Sequence, residues 1–410
     1  MTDQEYMLRA IQLAKKGEGW TNPNPMVGAV IVKDGRIIGE GYHKKCGELH
    51  AERNAIASLT ESAEGATIYV TLEPCCHYGK TPPCTEAIIE QKIKKVVIGS
   101  RDPNPKVAGK GAQILRESGI TVVQDFMREE CDRLNPVFLH YITTKTPYVV
   151  MKYAMTLDGK IATKTGASKW ITGEPARQEV QHMRHRYMGI MAGIGTVLAD
   201  DPMLNVRVEG WKSPVRIVCD SSLRISLDSQ IVRSAKEYRT IVAYAGWEEN
   251  EEITEKIERL HAKGVDTVCC PDEKGQIDLK KLMTYLGNEG IDSILLEGGG
   301  TLNDSALRAG IVKEVHCFIA PKLFGGKNSK TPVQGIGIRL PSEALKLKCT
   351  DICRIGEDIR IICQVCGKER PRGCWRARRS PRGRSRPRRR RGGRARSGGL
   401  RRARSGRSRL

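Results

Sequence analysis

Three residues with metal-binding side chains and a nearby glutamate form the most specific chemical pattern in the sequence. A His-Ala-Glu triplet opens an expected helix at His50, Cys75 follows a Glu-Pro pair after an expected strand, and Cys84 heads the next expected helix. Two thiolates and one imidazole hold zinc in deaminases and leave a fourth position for water, whose proton a separate carboxylate moves. We therefore predict a hydrolytic zinc centre with Glu52 as general acid and base and three ligands: His50, Cys75 and Cys84.

The spacing of the two cysteines departs from the usual P-C-x-x-C pattern of zinc deaminases. Eight residues separate Cys75 from Cys84, which argues against a generic cytidine deaminase. Cys76 and His77 lie close enough in sequence to compete for the metal. The alternative interpretation, core thiols and a capping histidine, does not account for the ordered set of all three elements.

Alternating helix-like and strand-like segments must position these side chains. Their apolar patterns predict an α/β domain over residues 1–145, which ends near a Thr-Thr-Lys-Thr-Pro stretch. An Asp-Gly pair at 34–35 indicates a hairpin. The predicted helices are 6–16, 51–59, 85–91 and 111–118, and the predicted strands are 27–33, 36–41, 66–72, 96–99 and 120–123.

A second series of strands alternating with helices follows over residues 146–367 and favours a mostly parallel sheet. A final hairpin is predicted over 340–366. The predicted strands are 148–154, 189–192, 215–219, 240–245, 267–270, 293–296 and 315–320, and the predicted helices are 175–186, 251–263, 279–286 and 301–309.

Two glycine-rich turns in the second series follow strands, where backbone N–H groups could cradle a pyrophosphate. One runs from Glu297 to Asn303 and the other from Gly193 to Thr196. Neither matches the G-x-G-x-x-G dinucleotide pattern or the P-loop, so each is a weak signal alone. A plain geometric turn is the alternative in both places.

Several motifs in order make the sequence resemble the bifunctional riboflavin-biosynthesis deaminase-reductases. In the first half they are Asn-Pro-Asn-Pro-Met-Val-Gly at 22–28, His-Ala-Glu at 50–52, Thr-Leu-Glu-Pro-Cys-Cys-His at 71–77, Gly-Lys-Thr-Pro-Pro-Cys at 79–84 and Asp-Pro-Asn-Pro at 102–105. The resemblance implies a cytidine-deaminase-like three-layer fold that hydrolyses the amino group of a diaminopyrimidinone ribosyl phosphate, with Asn24 touching the pyrimidine. A rigid turn without a ligand is the alternative for Asn24.

The second half is similar to the reductase part of that family. The similar segments are Lys-Tyr-Ala-Met-Thr-Leu-Asp-Gly-Lys-Ile-Ala at 152–162 and Gly-Thr-Val-Leu-Ala-Asp-Asp-Pro-Met-Leu-Asn-Val-Arg at 195–207. They imply a dihydrofolate-reductase-like α/β domain that uses NADPH to reduce the ribose to a ribityl chain. The implied cofactor contacts are Ala154, Trp170, Thr196, Asp200, Ser222, Gly299, Gly300, Thr301, Leu302, Asn303, Asp304 and Ser305. The implied substrate contacts are Lys152, Ser168, Arg184, Leu204, Arg207 and Glu297.

The chemistry of some implied contacts is open to interpretation. Arg184 and Arg207 suit a clamp on the ribose 5-phosphate, because guanidinium groups match phosphate oxygens. Asp200 and Lys152 are both candidates for the proton donor of the reduction. Residues 221–224 could bind the 2′-phosphate of NADPH or form a plain loop.

The formal charge of +22 comes almost wholly from the last 43 residues, which contain nineteen arginines and contribute +19. Residues 368–410 are too poor in apolar side chains to bury a core, so we predict a disordered extension. Its abrupt arginine bias favours an adventitious segment, and non-specific nucleic-acid binding is its alternative role. A nucleic-acid-editing protein and a deaminase with a degenerate reductase half are the competing functions.

We expect an enzyme that acts on small molecules, lies in the cytoplasm and forms a homo-oligomer. We expect no membrane segment, because no apolar run approaches the roughly 18 to 20 residues needed to cross a bilayer. The chain has fourteen cysteines, several of them in apolar strand-like runs, which indicates reduced thiols or metal ligands. A second zinc site and buried strand thiols are the two interpretations of Cys349, Cys353, Cys363 and Cys366, and strand alternation favours the buried thiols.

Overall fold

The computed structural model describes residues 1–79, 81–105, 107–246 and 251–366. The predictions for the extension at 368–410 lie outside these residues. The first domain contains strands β1 (Gly28–Lys33), β2 (Arg36–Tyr42), β3 (Thr67–Leu72), β4 (Lys95–Ser100) and β5 (Thr121–Val123). Its helices are α1 (Asp3–Lys15), α2 (Ala51–Ala57), α3 (Cys84–Glu90), α4 (Lys110–Glu117), α5 (Arg128–Asp132) and α6 (Pro136–Thr144).

The five strands form one sheet in the order β2-β1-β3-β4-β5. β1 is antiparallel to β2 and β3, whereas β3, β4 and β5 are parallel. Side chains alternate between the two faces of a strand, so Ala29 and Ile31 enter one hydrophobic cluster and Val30 and Val32 enter another. Helices cover both faces, which confirms the three-layer α/β prediction for this half.

The second domain is built on a nine-stranded sheet. Its strands are β6 (Tyr148–Thr156), β7 (Gly189–Gly193), β8 (Val215–Cys219), β9 (Thr240–Tyr244), β10 (Val265–Cys269), β11 (Ser293–Leu296), β12 (Val312–Ala320), β13 (Leu347–Ile355) and β14 (Asp358–Val365). Its helices are α7 (Glu174–Arg186), α8 (Ile194–Asp200), α9 (Gln230–Arg233), α10 (Glu251–Ala262), α11 (Leu279–Asn288) and α12 (Gly300–Ala309). A short 3₁₀ helix spans Pro341–Glu343.

The strand order of this sheet is β10-β9-β8-β7-β11-β6-β12-β14-β13. The strands from β10 to β12 run parallel, and the hairpin of β13 and β14 adds two antiparallel strands at one edge. Because β7 and β11 are parallel neighbours, the turns that follow them emerge side by side at one edge of the sheet. This topology brings the two predicted glycine turns together.

The predicted helices and strands are present, with ends that differ by a few residues, and four further helices occur. The sequence analysis missed α5, α6, α8 and α9. The α6 segment, Pro-Val-Phe-Leu-His-Tyr-Ile-Thr-Thr, is rich in β-branched and aromatic residues, which favour strands. The other three are four to seven residues long, too short to show a helical apolar period.

The prediction of buried thiols in the last hairpin is wrong. Cys349 and Cys366 are exposed, and Cys353 and Cys363 are partly exposed. The physical reason is that β13 is exposed on both faces along most of its length and β14 is mostly only partly buried, so the alternation in this hairpin does not correspond to a buried face. In the described residues no helix is both long and apolar enough to cross a membrane.

Candidate active sites

The three predicted zinc ligands lie close together in the first domain. The Nδ1 atom of His50 is 3.4 Å from the Sγ of Cys75 and 3.5 Å from the Sγ of Cys84. Zinc–sulfur bonds of about 2.3 Å and a zinc–nitrogen bond of about 2.0 Å at tetrahedral angles place sulfur and nitrogen about 3.5 Å apart. The donor set and its spacing therefore fit a zinc ion. Among the described residues, these three form the one group with metal-binding potential.

Helix starts position the ligands. His50 has extended backbone angles at the N-cap of α2, which places buried Glu52 in the first turn of that helix. Cys84 is the first residue of α3, and its backbone N–H donates to the Sγ of Cys75 at 3.4 Å. Glu73, just before the Pro-Cys pair, accepts hydrogen bonds from the N–H groups of Gly109 and Ala112 at the start of α4. The loop bearing Cys75 is thus tied to two helices.

The electrostatics of this cluster suit metal binding and proton transfer. A hydrogen bond from Cys84, together with His50, lowers the pKa of Cys75 to about 4, so this thiol is readily available as a thiolate. Burial raises the pKa of Glu52, and the negative charge of Cys75 adds to this effect. A raised pKa makes a carboxylate a better proton acceptor, which suits a group that takes up a proton and returns it.

A cavity of about 520 Å³ opens over the cluster. Asn24 lines it, and its Nδ2 lies 3.3 Å from the Nε2 of His43. The cavity also reaches Asp102, whose pKa burial raises to about 6 and whose Oδ1 accepts the backbone N–H of Asn104. The sequence analysis quoted the Asp-Pro-Asn-Pro segment without assigning it a role, and His43 carried no motif signal at all.

The two other metal-binding candidates of this loop are placed differently. His77 lines the cavity, and its buried Nδ1 has no hydrogen-bond partner among the described residues. Cys76 is partly exposed and lies outside the three-residue cluster. Burial raises the pKa of Cys76, with the charge of Cys75 as a further cause, so its thiol is less available as a ligand.

The second domain contains a nearly buried group of three charged side chains. Glu297, just after β11, pairs with Arg184 of α7 at 2.8 Å and 3.2 Å, and with the Nζ of Lys152 on β6 at 3.7 Å. These side chains are only 12–13% exposed. Burial alone would raise the pKa of Glu297, but the two cations outweigh it and lower that pKa to about 2. Burial lowers the pKa of Lys152.

The two glycine turns meet beside this group. A Cβ added to Gly299 would lie 3.5 Å from the Oγ1 of Thr196, and one added to Gly193 would lie 3.6 Å from the Cβ of Leu302. Gly299 is the N-cap of α12, a ten-residue helix whose first N–H groups favour an anion. This helix start and the turn that faces it, here called the glycine slot, offer backbone N–H groups of the kind that bind the phosphates of a dinucleotide. Gly300 closes the base of the slot, because its Cβ position lies 2.7 Å from the carbonyl oxygen of Thr331.

The remaining predicted cofactor residues have varied surroundings. Trp170 is 56% exposed, with the guanidinium of Arg177 4.7 Å from its ring centre. Asn303 is fully buried, and its amide donates to the carbonyl of Pro332 beneath the turn. Asp304 pairs with Arg308 at 2.7 Å. Ala154, Asp200 and Leu302 are partly exposed, and Thr301, Ser305 and Ser222 are exposed.

The predicted phosphate clamp has two unlike members. Arg184 is paired with Glu297 and also donates to the carbonyl of Asn205 at 3.0 Å, whereas Arg207 is exposed. Leu204 between them is buried with a left-handed φ of 49°, and Ser168 is partly exposed. The structure therefore brings together the Lys152 group and the glycine turns, and it leaves Arg207 on the surface.

One buried side chain that the sequence analysis missed supports this region. Arg216 on β8 is fully buried, and its guanidinium donates to the carbonyls of Met203, Ile231 and Tyr238 at 2.8–3.2 Å. It also bonds to the hydroxyl of Thr240. Burial lowers its pKa to about 10. Arg216 thus fixes the backbone just before Leu204, and only the isolated charge within an apolar strand could have revealed it.

Comparison with known proteins covers both domains. Residues 1–100 match the cytidine and deoxycytidylate deaminase zinc-binding region, and residues 147–361 match the RibD C-terminal domain. The riboflavin biosynthesis protein RibD of Actinobacillus pleuropneumoniae is 59% identical over 361 residues, which is 88% of this chain and 95% of that protein. RibD of Escherichia coli is 40% identical over 88% of this chain and 98% of its own.

Solved structures of RibD proteins are similar to this chain over both domains. RibD of Acinetobacter baumannii superposes with a TM-score of 0.79 at 39% identity, over 89% of this chain and 99% of that one. A second structure is a diaminohydroxyphosphoribosylaminopyrimidine deaminase/5-amino-6-(5-phosphoribosylamino)uracil reductase of Thermotoga maritima. It superposes with a TM-score of 0.78 at 39% identity, over 88% of this chain and 98% of that one. With a zinc-type ligand cluster in one domain and a charged group beside paired glycine turns in the other, the chain belongs to the RibD family of bifunctional deaminase-reductases of riboflavin biosynthesis.

Proposed function

We propose that this chain deaminates a diaminohydroxyphosphoribosylaminopyrimidine and then reduces the resulting 5-amino-6-(5-phosphoribosylamino)uracil with NADPH. The single observation that carries the proposal is the His50, Cys75 and Cys84 cluster with Glu52 buried beside it, under a cavity large enough for a pyrimidine nucleotide. The proposed division is residues 1–145 for deamination and 146–367 for reduction. The match of the chain to two-domain relatives over nearly their whole length supports both steps.

In the first step the side chains of this chain bind the pyrimidine and move one proton. Zinc held by His50, Cys75 and Cys84 would supply Lewis-acid activation of water at neutral pH. Glu52 takes a proton from the attacking water and delivers it to the exocyclic nitrogen, the second proton of that water goes to the ring nitrogen as the carbonyl forms, and the carbon–nitrogen bond breaks to release ammonia. Asn24 orients the ring from the wall of the cavity.

In the second step the chain aligns two bound molecules and excludes water. NADPH would supply the hydride. The proposed cofactor contacts are the residues of the glycine slot, Thr196 and Gly299 to Ser305, together with Ala154, Trp170, Asp200 and Ser222. The proposed substrate contacts are Lys152, Ser168, Arg184, Leu204, Arg207 and Glu297. The hydride goes to the anomeric carbon of the opened ribose, and a proton from the protein or from water completes the ribityl chain.

The paired charges constrain the choice of proton donor. Lys152 lies 3.7 Å from Glu297 in a nearly buried setting that lowers its pKa, which makes the ammonium a better acid than a solvent-exposed lysine. Asp200 is partly exposed at the end of α8. We therefore favour Lys152 over Asp200.

Purified protein supplied with the diaminopyrimidine nucleotide tests the whole proposal. Without NADPH it should release one ammonia per substrate and stop, and added NADPH should then be oxidised. A chelator should abolish ammonia release, zinc should restore it, and oxidation of NADPH with the deaminated substrate should continue unaffected. Ammonia release that persists after complete zinc removal would contradict the proposal.

We also propose a homo-oligomer formed through the C-terminal part of the second domain. Large apolar side chains are exposed there: Leu323 is 73% exposed, Ile336 97% and Ile352 64%. Large apolar side chains with this exposure are typical of a surface that another chain covers. Light scattering should show more than one chain per particle, and Ile352→Glu should reduce that number if this face is the interface.

A cytoplasmic location completes the proposal. None of the thirteen cysteines of the described residues is in a disulfide bond. Reduced thiols at this number, including exposed ones, suit a reducing compartment. Fractionation of cells that make this protein, with ammonia release as the assay, tests the location.

A further inference from the structure

The loop between α1 and β1 connects the first active site to the second domain. Its Asn24 faces the zinc cluster through His43, whose ring centre lies 5.3 Å from that of His50. The loop is tightly turned at residues 21–24, because the N–H of Asn24 donates to the carbonyl of Thr21 at 2.8 Å. Any shift of the preceding residues must therefore move Asn24.

The second domain holds this loop by a partly buried hydrogen bond. The Nδ2 of Asn22 donates to the Oδ2 of Asp292 at 2.8 Å. Asp292 is only 1% exposed, and its other oxygen accepts from the hydroxyl of Ser293 at 2.5 Å. A hydrogen bond to a buried carboxylate is roughly twice as strong as one between neutral groups, and it fixes the direction of the amide.

Contacts on the other side of Asn22 press the same loop against α7. The ring of Trp20 meets the ring of His185 edge to face, with centres 4.8 Å apart. Gly19 has a φ of 77°, and a Cβ there would lie 2.4 Å from the His185 ring. Glu18 pairs with Arg186 at 3.2 Å. The loop is thus shaped to the surface of the second domain.

Both anchoring elements also carry the charged group of the second active site. His185 and Arg186 directly follow Arg184 in α7. Asp292 directly precedes β11, and Glu297 directly follows that four-residue strand. The same two elements therefore support both the second active site and the Asn24 loop, β11 at its two ends and α7 through neighbouring residues of its last turn.

We propose that Asn22 is a positioning residue for deamination, held in place by Asp292 of the other domain. On this view the deaminase site is complete only while the second domain is docked against the loop. The inference rests on the proposed function, because it takes Asn24 to be a contact of the pyrimidine. It assigns the pair of Asn22 and Asp292 a role in the first reaction although Asp292 belongs to the second domain.

The expected effect is on substrate binding more than on bond breaking. Glu52 and the zinc ligands lie on α2, α3 and the loop after β3, so they do not depend on the Asn22 contact. A displacement of about 1 Å at a substrate-positioning group can cost on the order of 10²-fold. Asn22→Ala should therefore raise the KM of deamination at least about tenfold and lower kcat less.

The experiment compares full-length variants. Asn22→Ala removes the bond to Asp292, and Tyr141→Phe is the matched control, because it removes another hydrogen bond between the domains, from the Tyr141 hydroxyl to the carbonyl of Gly287 at 2.9 Å. The measurements are KM and kcat for ammonia release, zinc content, NADPH oxidation with the deaminated substrate, and hydrogen exchange of residues 17–26.

The proposal expects a raised deamination KM and faster exchange of residues 17–26 only in Asn22→Ala, with zinc content and reduction unchanged. It is overturned if Asn22→Ala leaves KM and exchange as in the wild type, if Tyr141→Phe raises KM equally, or if zinc is lost. Absence of ammonia release from the wild type would count against the proposed function instead, and the hydrogen-exchange result would still decide whether Asp292 fixes the loop.

If Asn22→Ala does not fold, a second test exchanges the two side chains of the pair, Asn22 and Asp292. Asn22→Asp places two carboxyl groups in contact and should raise KM strongly. The double variant with Asn22→Asp and Asp292→Asn restores one amide and one carboxylate, so its KM should return to within about threefold of the wild type. A double variant as poor as Asn22→Asp alone would overturn the proposal.

Discussion

The two active sites of this chain are built in opposite ways. The first takes its metal ligands and Glu52 from residues 50–84, and each ligand is fixed by a helix start or by the loop before it. The second takes Lys152, Arg184, Thr196 and Glu297 from elements up to 145 residues apart in the chain, and their proximity depends on the order of parallel strands. A locally encoded site leaves a motif, whereas a site assembled by topology leaves separate weak signals.

The two sites also differ in how charge is balanced. In the first, thiol groups and one carboxyl group crowd around a single imidazole, and a divalent cation is needed to balance them. In the second, one carboxylate is already paired with two cations. Removing a partner should therefore hurt the chemistry of the first site and the stability of the second.

Glu52→Gln should have the largest effect on chemistry. It removes the proton carrier but keeps the size of the side chain, so ammonia release should fall by about 10²–10⁴-fold. NADPH oxidation with the deaminated substrate and zinc content should match the wild type. Equal loss of both activities in a folded protein would contradict the claim that Glu52 serves only the first site.

Glu297→Gln should lower the stability of the second domain as well as its activity. The change leaves Lys152 and Arg184 nearly buried without a carboxylate, which costs about 3–5 kcal/mol in comparable buried pairs. Denaturant unfolding measures this loss, and reduction should fall with it. A variant as stable as the wild type would show that the pairing is not needed for folding and serves only the substrate.

Two glycine variants distinguish an effect on folding from an effect on cofactor binding. Gly300→Ala should destabilise the domain by about 1–3 kcal/mol, because its Cβ would lie 2.7 Å from the carbonyl of Thr331. Gly299→Ala makes only an ordinary contact, 3.5 Å from Thr196, and should fold normally. If phosphates occupy the slot, it should raise the KM for NADPH about tenfold, which corresponds to about 1.4 kcal/mol. An unchanged KM would place the cofactor elsewhere.

The pH dependence of stability should show a smaller effect of the same pairing. The pKa of Glu297 is lowered to about 2, below the value of about 4.3 expected in the unfolded chain. Its contribution is therefore complete above about pH 4.3 and is lost as the pH falls towards 2. The stability difference between wild type and Glu297→Gln should shrink over that window, and a difference that stays constant would mean that Glu297 is not ion-paired.

Most regular elements could be predicted from the sequence, and the failures have physical causes. The hairpin of β1 and β2 was readable from its Asp-Gly turn, and the helix of residues 110–117 from its apolar period. Helix α6 was not, because its β-branched and aromatic residues favour strands locally. The exposure of the thiols on β13 was not readable, because alternation separates the two faces of a strand but does not tell whether another layer covers either of them.

The sequence alone determined the zinc-type ligand set with its glutamate, the two-domain order and the family resemblance. These depend on residue types at short spacing, which one stretch of chain fixes by itself. Only the tertiary structure decided that Asn22 meets Asp292, that Thr196 faces Gly299, and that Arg184 is paired with Glu297 while Arg207 is exposed. Such contacts join residues 103–270 positions apart. The packing of whole helices and strands brings these residues together, and no local sequence pattern predicts the contact.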